Sequence, residues 1–287
     1  MQRSIAVILG FSLALLALVA LPATSGLASD GWVVECPYSH SRTDDPIVYP
    51  RDRGASHRHD FFGAKDVDAF STVKSMRRGG TTCGLKADTA GYWLPTLKKK
   101  GNIVLPKGGG TEQVIYYRND LDGDEHIVVP PKNLQIVAGN GHARSESENP
   151  LLGTSKIYFN CNDGEGDEDK VAKPPVCDDG IRVLHVRFPQ CWDGKHLDSR
   201  DHISHMAWVG EGDNCPSSHP VAIPRVTIRA EYPVGRGYSP RDISFASGPY
   251  YTIHGDFWQT WRNKKLRQLV RRCFGGEEDC GTFDAGE

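Results

Sequence analysis

The amino-acid sequence predicts a mainly β fold: a single-domain sandwich or jelly-roll-like arrangement with one or two peripheral helices and disulfides. Three observations point to it. Gly and Pro, 31 and 18 of 287 residues, punctuate the chain into short segments. The segments between them are rich in Val, Ile, Tyr and Phe, which suit a pleated surface. Eight cysteines, an even number, fit a chain whose loops are stapled by disulfides.

The first 28 residues read as a signal peptide. Arg3 is the only charge before Asp30, an apolar run covers residues 5–21, and Gly26 and Ala28 mark a small-residue exit. A retained membrane anchor is the competing reading, since the run is nearly long enough to span a bilayer. The small residues favour cleavage near Ser29. Residues 29–287 then form a single secreted domain. The net charge is −2, or −3 without Arg3, a near balance that predicts neither nucleic-acid binding nor attachment to an acidic membrane. A monomer is expected.

A first helix is expected over residues 64–80, "AKDVDAFSTVKSMRRGG", with Gly79 as its stop. "KGGGTE", 107–112, precedes a strand and reads as a turn. Strands are expected over 112–118, 126–130, 134–139, 156–161, 181–189, 220–233 and 250–257. In "IRVLHVRF", Ile181, Val183, His185 and Arg187 share one face, and Leu184, Val186 and Phe188 the other. "NDLDGDEH", 119–126, reads as a hairpin turn before a calcium loop. The acidic stretch 161–180 reads as a solvated loop, because it lacks the spacing of an EF-hand. A second helix is expected over 256–276, capped by Asp256 and ended by Gly275, with Trp258, Trp261, Leu266, Leu269, Val270 and Cys273 as its buried stripe.

Cys273 with Cys280 is the preferred local disulfide, because the "FGGEED" between them can turn. Cys191 with Cys215 would close a loop around "DSRDHISHMAW", residues 198–208. No CxxC occurs, which argues against a cysteine zinc knuckle.

Three stretches pair imidazole with carboxylate: "SHRHDFFG" with His57, His59 and Asp60, "DSRDHISHMAW" with Asp198, Asp201, His202 and His205, where a helical turn would put Asp198 and His202 on one face, and "IHGDF" with His254 and Asp256. A carboxylate orients an imidazole ring, fixes its tautomer and raises its basicity, which suits proton transfer near neutral pH. A lone histidine more often satisfies a buried backbone group. Three such stretches together favour a shared site. His-x-His plus a distant His or Asp can also complete a zinc, copper or manganese shell, and ring nitrogens ~4 Å or less apart would favour that rival. No residue is assigned as a metal ligand and no cofactor is named. HExxH, GxSxG, a Walker loop and a dinucleotide-binding glycine pattern are all absent. Tyr92, Trp93 and Trp192 are candidates for a sugar platform, with Arg58 and Arg200 as partners for hydroxyls or a uronate.

"HRHDFFGAK", "TTCGLKADTAGYWLPTL", "VIYYR", "FPQCWDGKHLDSRDHISHMAW", "CPSSHPVAIPRV" and "HGDF" occur in that order. From about Val33 to Cys273 the chain resembles the exported domain-of-unknown-function family numbered nineteen-ninety-six, found in fungi and bacteria. Some fungal members carry carbohydrate-binding modules. The resemblance implies an extracellular protein and contact with a wall or polysaccharide, and supplies no reaction. The expectation is a secreted carbohydrate-active enzyme, a hydrolase or lyase, acting on a polysaccharide or cell-wall glycan. In it His202 or His59 moves the proton and Asp201 or Asp256 supports it. The alternatives are a non-catalytic carbohydrate- or wall-binding protein and an extracellular metal-binding protein.

Overall fold

A computed structural model describes residues 31–106, 113–121, 126–161, 170–210, 212–275 and 280–286. The expected signal peptide, the turn expected at 107–112 and the acidic residues 122–125 and 162–169 lie outside them.

The first half of the chain forms β1 (Gly31–Glu35), β2 (Tyr38–Arg42), β3 (His59–Gly63), helix α1 (Val73–Gly79), β4 (Gly91–Pro95), β5 (Leu97–Lys99), β6 (Asn102–Ile103), β7 (Gln113–Arg118) and β8 (Gln135–Gly139). The second half adds β9 (Ile157–Cys161), β10 (Ile181–Arg187), β11 (Cys191–Trp192), β12 (Met206–Ala207), β13 (Val221–Ala222), β14 (Arg225–Pro233), β15 (Ile243–Phe245), β16 (Gly248–Pro249), β17 (His254–Trp258), helix α2 (Asn263–Cys273) and β18 (Thr282–Phe283).

Two large sheets dominate. One runs β18-β1-β7-β14-β10-β9 and the other β2-β3-β4-β17-β8. All their pairings are antiparallel except that of β18 with β1. Their inner faces share one core. Val34, Ile115, Leu184, Val186 and Ile228 enter it from the first sheet, and Phe62, Tyr92, Leu94, Ile136 and Phe257 from the second. This is the predicted mainly β sandwich with two helices. At Gly255 the sheets come so close that a Cβ would lie 2.8 Å from Val186 Cγ1. The glycine serves sheet packing.

The second sheet is also covered on its outer face. Phe61, Trp93, Val137 and Trp258 pack there against Ile47, Val67 and Met76 of α1. Strands β3, β4 and β17 are therefore buried at every residue. Such doubly covered strands lose the polar/apolar alternation that identifies half-exposed ones.

That burial explains the largest correction to the sequence reading. Residues 256–262 are not helical. Asp256 and Trp258 lie in β17, which pairs with β4 on one side and β8 on the other, so Asp256 caps nothing. Helix α2 starts at Asn263, and it does bury Leu266, Leu269, Val270 and Cys273 as expected. The first helix is also shorter than expected. Before it, Asp44 and Asp68 carboxylates accept backbone N–H groups of Ala69 and Phe70, which competes with a helical turn. Thr72 then caps α1 by accepting from Ser75 N at 3.1 Å. Residues 126–130 form no strand, and 220–233 splits in two where Pro224 cannot donate to a ladder.

The disulfides are Cys36–Cys83, Cys161–Cys177, Cys191–Cys215 and Cys273–Cys280. Both expected pairs form. Among the described residues no helix is long and apolar enough to cross a membrane.

A polar network crosses the core. Tyr92 Oη donates to Asp88 at 2.8 Å and lies 2.5 Å from Tyr117 Oη, which accepts from Trp261 Nε1 at 2.8 Å. Burial pushes the Asp88 carboxyl up to about 8, against the bonds from Tyr92 and Ala90. Unfolded, an aspartate has lost its proton above about pH 4, whereas folded Asp88 keeps it until about pH 8. The folded state thus binds the extra proton in that window, and stability falls as pH rises through it. Between pH ~7.5 and ~8 histidines of ordinary pKa are neutral in the unfolded chain too, so the buried, already neutral imidazoles of the fold no longer oppose the trend. The melting temperature is expected to fall across that range, and to fall less in Asp88→Asn. Equal slopes for the two proteins would contradict the assignment.

Candidate functional site

Along a strand, every second side chain shares a face. His59 and Phe61 of β3, and His254, Asp256 and Trp258 of β17, accordingly project from the outer face of the second sheet, the face that Ile47, Val67 and Met76 cover in part. His57 follows the same alternation just before β3. Strand β4 separates β3 from β17, and it opposes His59 with its terminal Pro95. The two imidazoles meet across that end. His59 Nε2 lies 3.3 Å from His254 Nε2. The ring of His57 lies 4.3 Å from that of His59 and 5.0 Å from that of His254, between centroids. One nitrogen from each ring falls within 4.8 Å of the others, and Asp45, His59 and Asp256 form a second group within the same span. At Gly141 the backbone presses against the His254 ring, where a Cβ would lie 2.9 Å from Nδ1.

His202 arrives from the other side of the site. The loop of residues 197–205 lies along the edge of β8: Gln135 N donates to Leu197 O at 2.9 Å and Val137 N to His202 O at 3.1 Å. The loop thereby satisfies an edge strand that would otherwise be unpaired. His202 has a left-handed backbone, with φ 59°, a strained conformation for a non-glycine residue. Its Nδ1 is 3.0 Å from Asp198 Oδ1.

His57, His202 and His254 line one cleft of about 220 Å³, with Asp45, Tyr49, Asn140, His142 and Asp201. A neighbouring cavity of about 450 Å³ shares Val137, Gly139, Asn140 and Ile203 with it and continues to Glu148, Pro189 and Trp208. His59 sits fully buried behind the cleft.

Burial dominates the electrostatics. It pushes His57 down to about 3, helped by His254 and His142, and His254 down to about 4 against its bond to Thr252 O. His59 falls well below the usual range for the same reason. Burial raises Asp45 to about 6 and Asp256 well above the carboxylate range, the latter also through Asp45. The 3.9 Å approach of His254 Nε2 to Asp256 Oδ2 is therefore no ordinary ion pair, because burial drives both groups neutral. Both Asp256 oxygens are buried without a hydrogen-bond donor.

The other expected site residues lie elsewhere. His205 is buried with both nitrogens used, one on Gln135 O at 2.7 Å and one on Ser199 Oγ at 2.9 Å. Asp201 lines the cleft but holds no ring; its Oδ1 accepts from Ile203 N, Ser204 N and Ser204 Oγ. Burial would raise its carboxyl, yet bonds from Ser204 and Ser199 hold it well below the usual range. Asp198 takes the ring-holding role. Tyr92 and Trp93 are fully buried in β4 and cannot stack on a sugar. Trp192 is half-buried, packs against the core, and donates Nε1 to His196 O at 2.6 Å. Arg58 and Arg200 do not line the cleft.

Asp45 and His142 were not anticipated. "TDDPIV" carries a signal for the first: Asp45 Oδ1 accepts from Ile47 N and Val48 N, the local turn that Asp before Pro favours. His142, in "GNGHAR", has no carboxylate beside it, and only the fold brings it to the cleft.

Neither a curated protein nor a solved structure shows significant similarity to the chain. A family model matches residues 45–261, a span that runs from the cleft carboxyl Asp45 to Trp261 of the core network and includes every histidine of the site. The chain belongs to that family, described as a domain of unknown function (DUF1996).

Proposed function

We propose that the protein is a secreted carbohydrate-active enzyme, a hydrolase that cleaves an extracellular or cell-wall polysaccharide in the histidine-lined cleft. The observation that carries the reading is the convergence of His57, His202 and His254, from three separate stretches, on one cleft with a raised carboxyl at Asp45. The adjoining cavity extends the cleft past the exposed Ile203 toward Trp208, as a polymer needs. The leader at residues 1–28 and the four disulfides support export.

In this mechanism His202, oriented by Asp198, takes a proton from water. The water oxygen bonds to the anomeric carbon as the glycosidic C–O bond breaks. Asp45, protonated below about pH 6, gives its proton to the leaving oxygen. Hydrolysis is favoured over elimination because, among the described residues, no Arg or Lys lines the cleft to neutralise a uronate.

The test is incubation of the purified protein with neutral and uronic polysaccharides from plant, fungal and bacterial walls. New reducing ends from a neutral polymer, without unsaturated sugars, are expected. Unsaturated products would replace the hydrolase with a lyase. Retention of the protein by a polymer that it leaves intact would make it a binding protein.

A further inference from the structure

We infer that His57, His59 and His254 form a binding site for one divalent transition cation of the zinc and copper class at the floor of the cleft. The argument is one of hydrogens. His254 Nδ1 lies 2.9 Å from Thr252 O, and His59 Nδ1 lies 3.2 Å from Asp44 O. A carbonyl oxygen only accepts, so both Nδ1 atoms carry the hydrogen, and in the neutral rings both Nε2 atoms are bare lone pairs. Those lone pairs face each other at 3.3 Å. Without a positive centre between them, the contact is repulsive. His57 offers a further nitrogen within 4.8 Å of the other two, and its Nε2 is buried with no hydrogen-bond partner.

The spacing fits a cation. Four ligands in a tetrahedron at about 2.0–2.1 Å from zinc stand about 3.3–3.4 Å apart. The Nδ1–H to carbonyl bonds are also the outer contacts that hold metal-binding imidazoles in one tautomer and orientation. Asp256 offers a carboxyl oxygen beside them. It is fully buried, neither oxygen has a donor, and its Oδ2 is 3.9 Å from His254 Nε2. A nearby dication would compensate that carboxylate, as fourth ligand or as counter-charge. Three nitrogen donors select transition metals over calcium or magnesium, which take oxygen. His57 and His254 reach the cleft wall, so the ion has an entry path.

The inference stands independently of the polysaccharide reading, because its test reads binding and not turnover. The full protein, stripped with chelator, is titrated separately with Zn²⁺, Cu²⁺ and Co²⁺ by calorimetry, and its melting temperature is followed. One equivalent bound, a raised melting temperature and visible absorption typical of tetrahedral Co²⁺ are expected. His57→Ala, in the half-buried stretch ahead of β3, should weaken binding by more than the ~10–100-fold that loss of an outer contact causes. His196→Ala, at an exposed His–Asp pair, should leave it unchanged. If His57→Ala does not fold, His57→Asn replaces it. No binding, or equal affinity in wild type and the His57 variant, would overturn the site; the latter would mean an adventitious ion only.

Discussion

His202→Ala is expected to lower turnover of the responsive polysaccharide by about 10²–10⁴-fold, the usual contribution of a positioned general acid or base. The melting temperature should barely change. The ring is about one-fifth exposed, and it belongs to no hydrophobic cluster. The loop is held by its own backbone, through Val137 N to His202 O, which alanine retains. Alanine would, however, keep the unfavourable left-handed backbone, so a loss of up to about 1 kcal/mol is compatible with the reading. Asp198→Asn should lower turnover as well, since it disturbs the tautomer that leaves Nε2 free to take a proton. His205→Ala supplies the contrast. It removes two satisfied buried hydrogen bonds and should cost about 1–3 kcal/mol of stability. Steady-state rates and melting curves for the three variants separate the roles. Full turnover in His202→Ala would remove His202 from the mechanism.

Trp32→Ala is expected to destabilise the fold by about 3–5 kcal/mol, the range for emptying a large aromatic site in a packed core. Trp32 is fully buried on β1. Its ring stacks on Tyr117 with centroids 4.6 Å apart and meets the edge of Trp261 at 6.2 Å and Phe274 at 5.5 Å. It therefore joins the first sheet, the end of α2 and the Asp88–Tyr92–Tyr117 network at one point. Its Nε1 has no hydrogen-bond partner, so the loss is one of packing and dispersion. Urea unfolding should show a lower midpoint with an unchanged slope. A change below about 1 kcal/mol would mean that the surrounding rings collapse into the space.

The parts of the fold that were legible in the sequence are those with one wet face. Leu184 and Val186 of β10 and Phe188 just after it are buried in the core while His185 and Arg187 are only partly buried, and that alternation is plain in the chain, although Val183 is buried on the opposite face. The strand expected over 250–257 covers β17 as far as Phe257, but its end also reads as the start of the second helix, because both its faces are buried and "HGDFW" runs without a break into the amphipathic pattern of α2. Aromatics in the doubly covered β4 were mistaken for a sugar platform for the same reason. At the site, the pairing of histidines with carboxylates located His57, His59, His202 and His254. It could not tell which carboxylate serves which ring: Asp201 is spent on its own turn, and Asp198 holds His202. Nor could it show that two imidazoles 195 positions apart would face each other nitrogen to nitrogen. That depends on the order of β3, β4 and β17 in the sheet.

The parallel pairing of β18 with β1 has a mechanical consequence. The first and last described strands lie side by side at one edge of the six-stranded sheet, with Val33 N bonded to Gly281 O and Ala285 N to the Glu35 carboxylate. A tug on both ends of this segment has its shortest load path through that single seam. The seam is loaded in shear, since parallel neighbours place the leading end of one beside the leading end of the other. Cys36–Cys83 ties the chain just beyond β1 into the body, and Cys273–Cys280 ties the chain just before β18 to the end of α2. The cleft on the other sheet lies off this path. Tension applied across the two ends of this segment would therefore bypass the histidines.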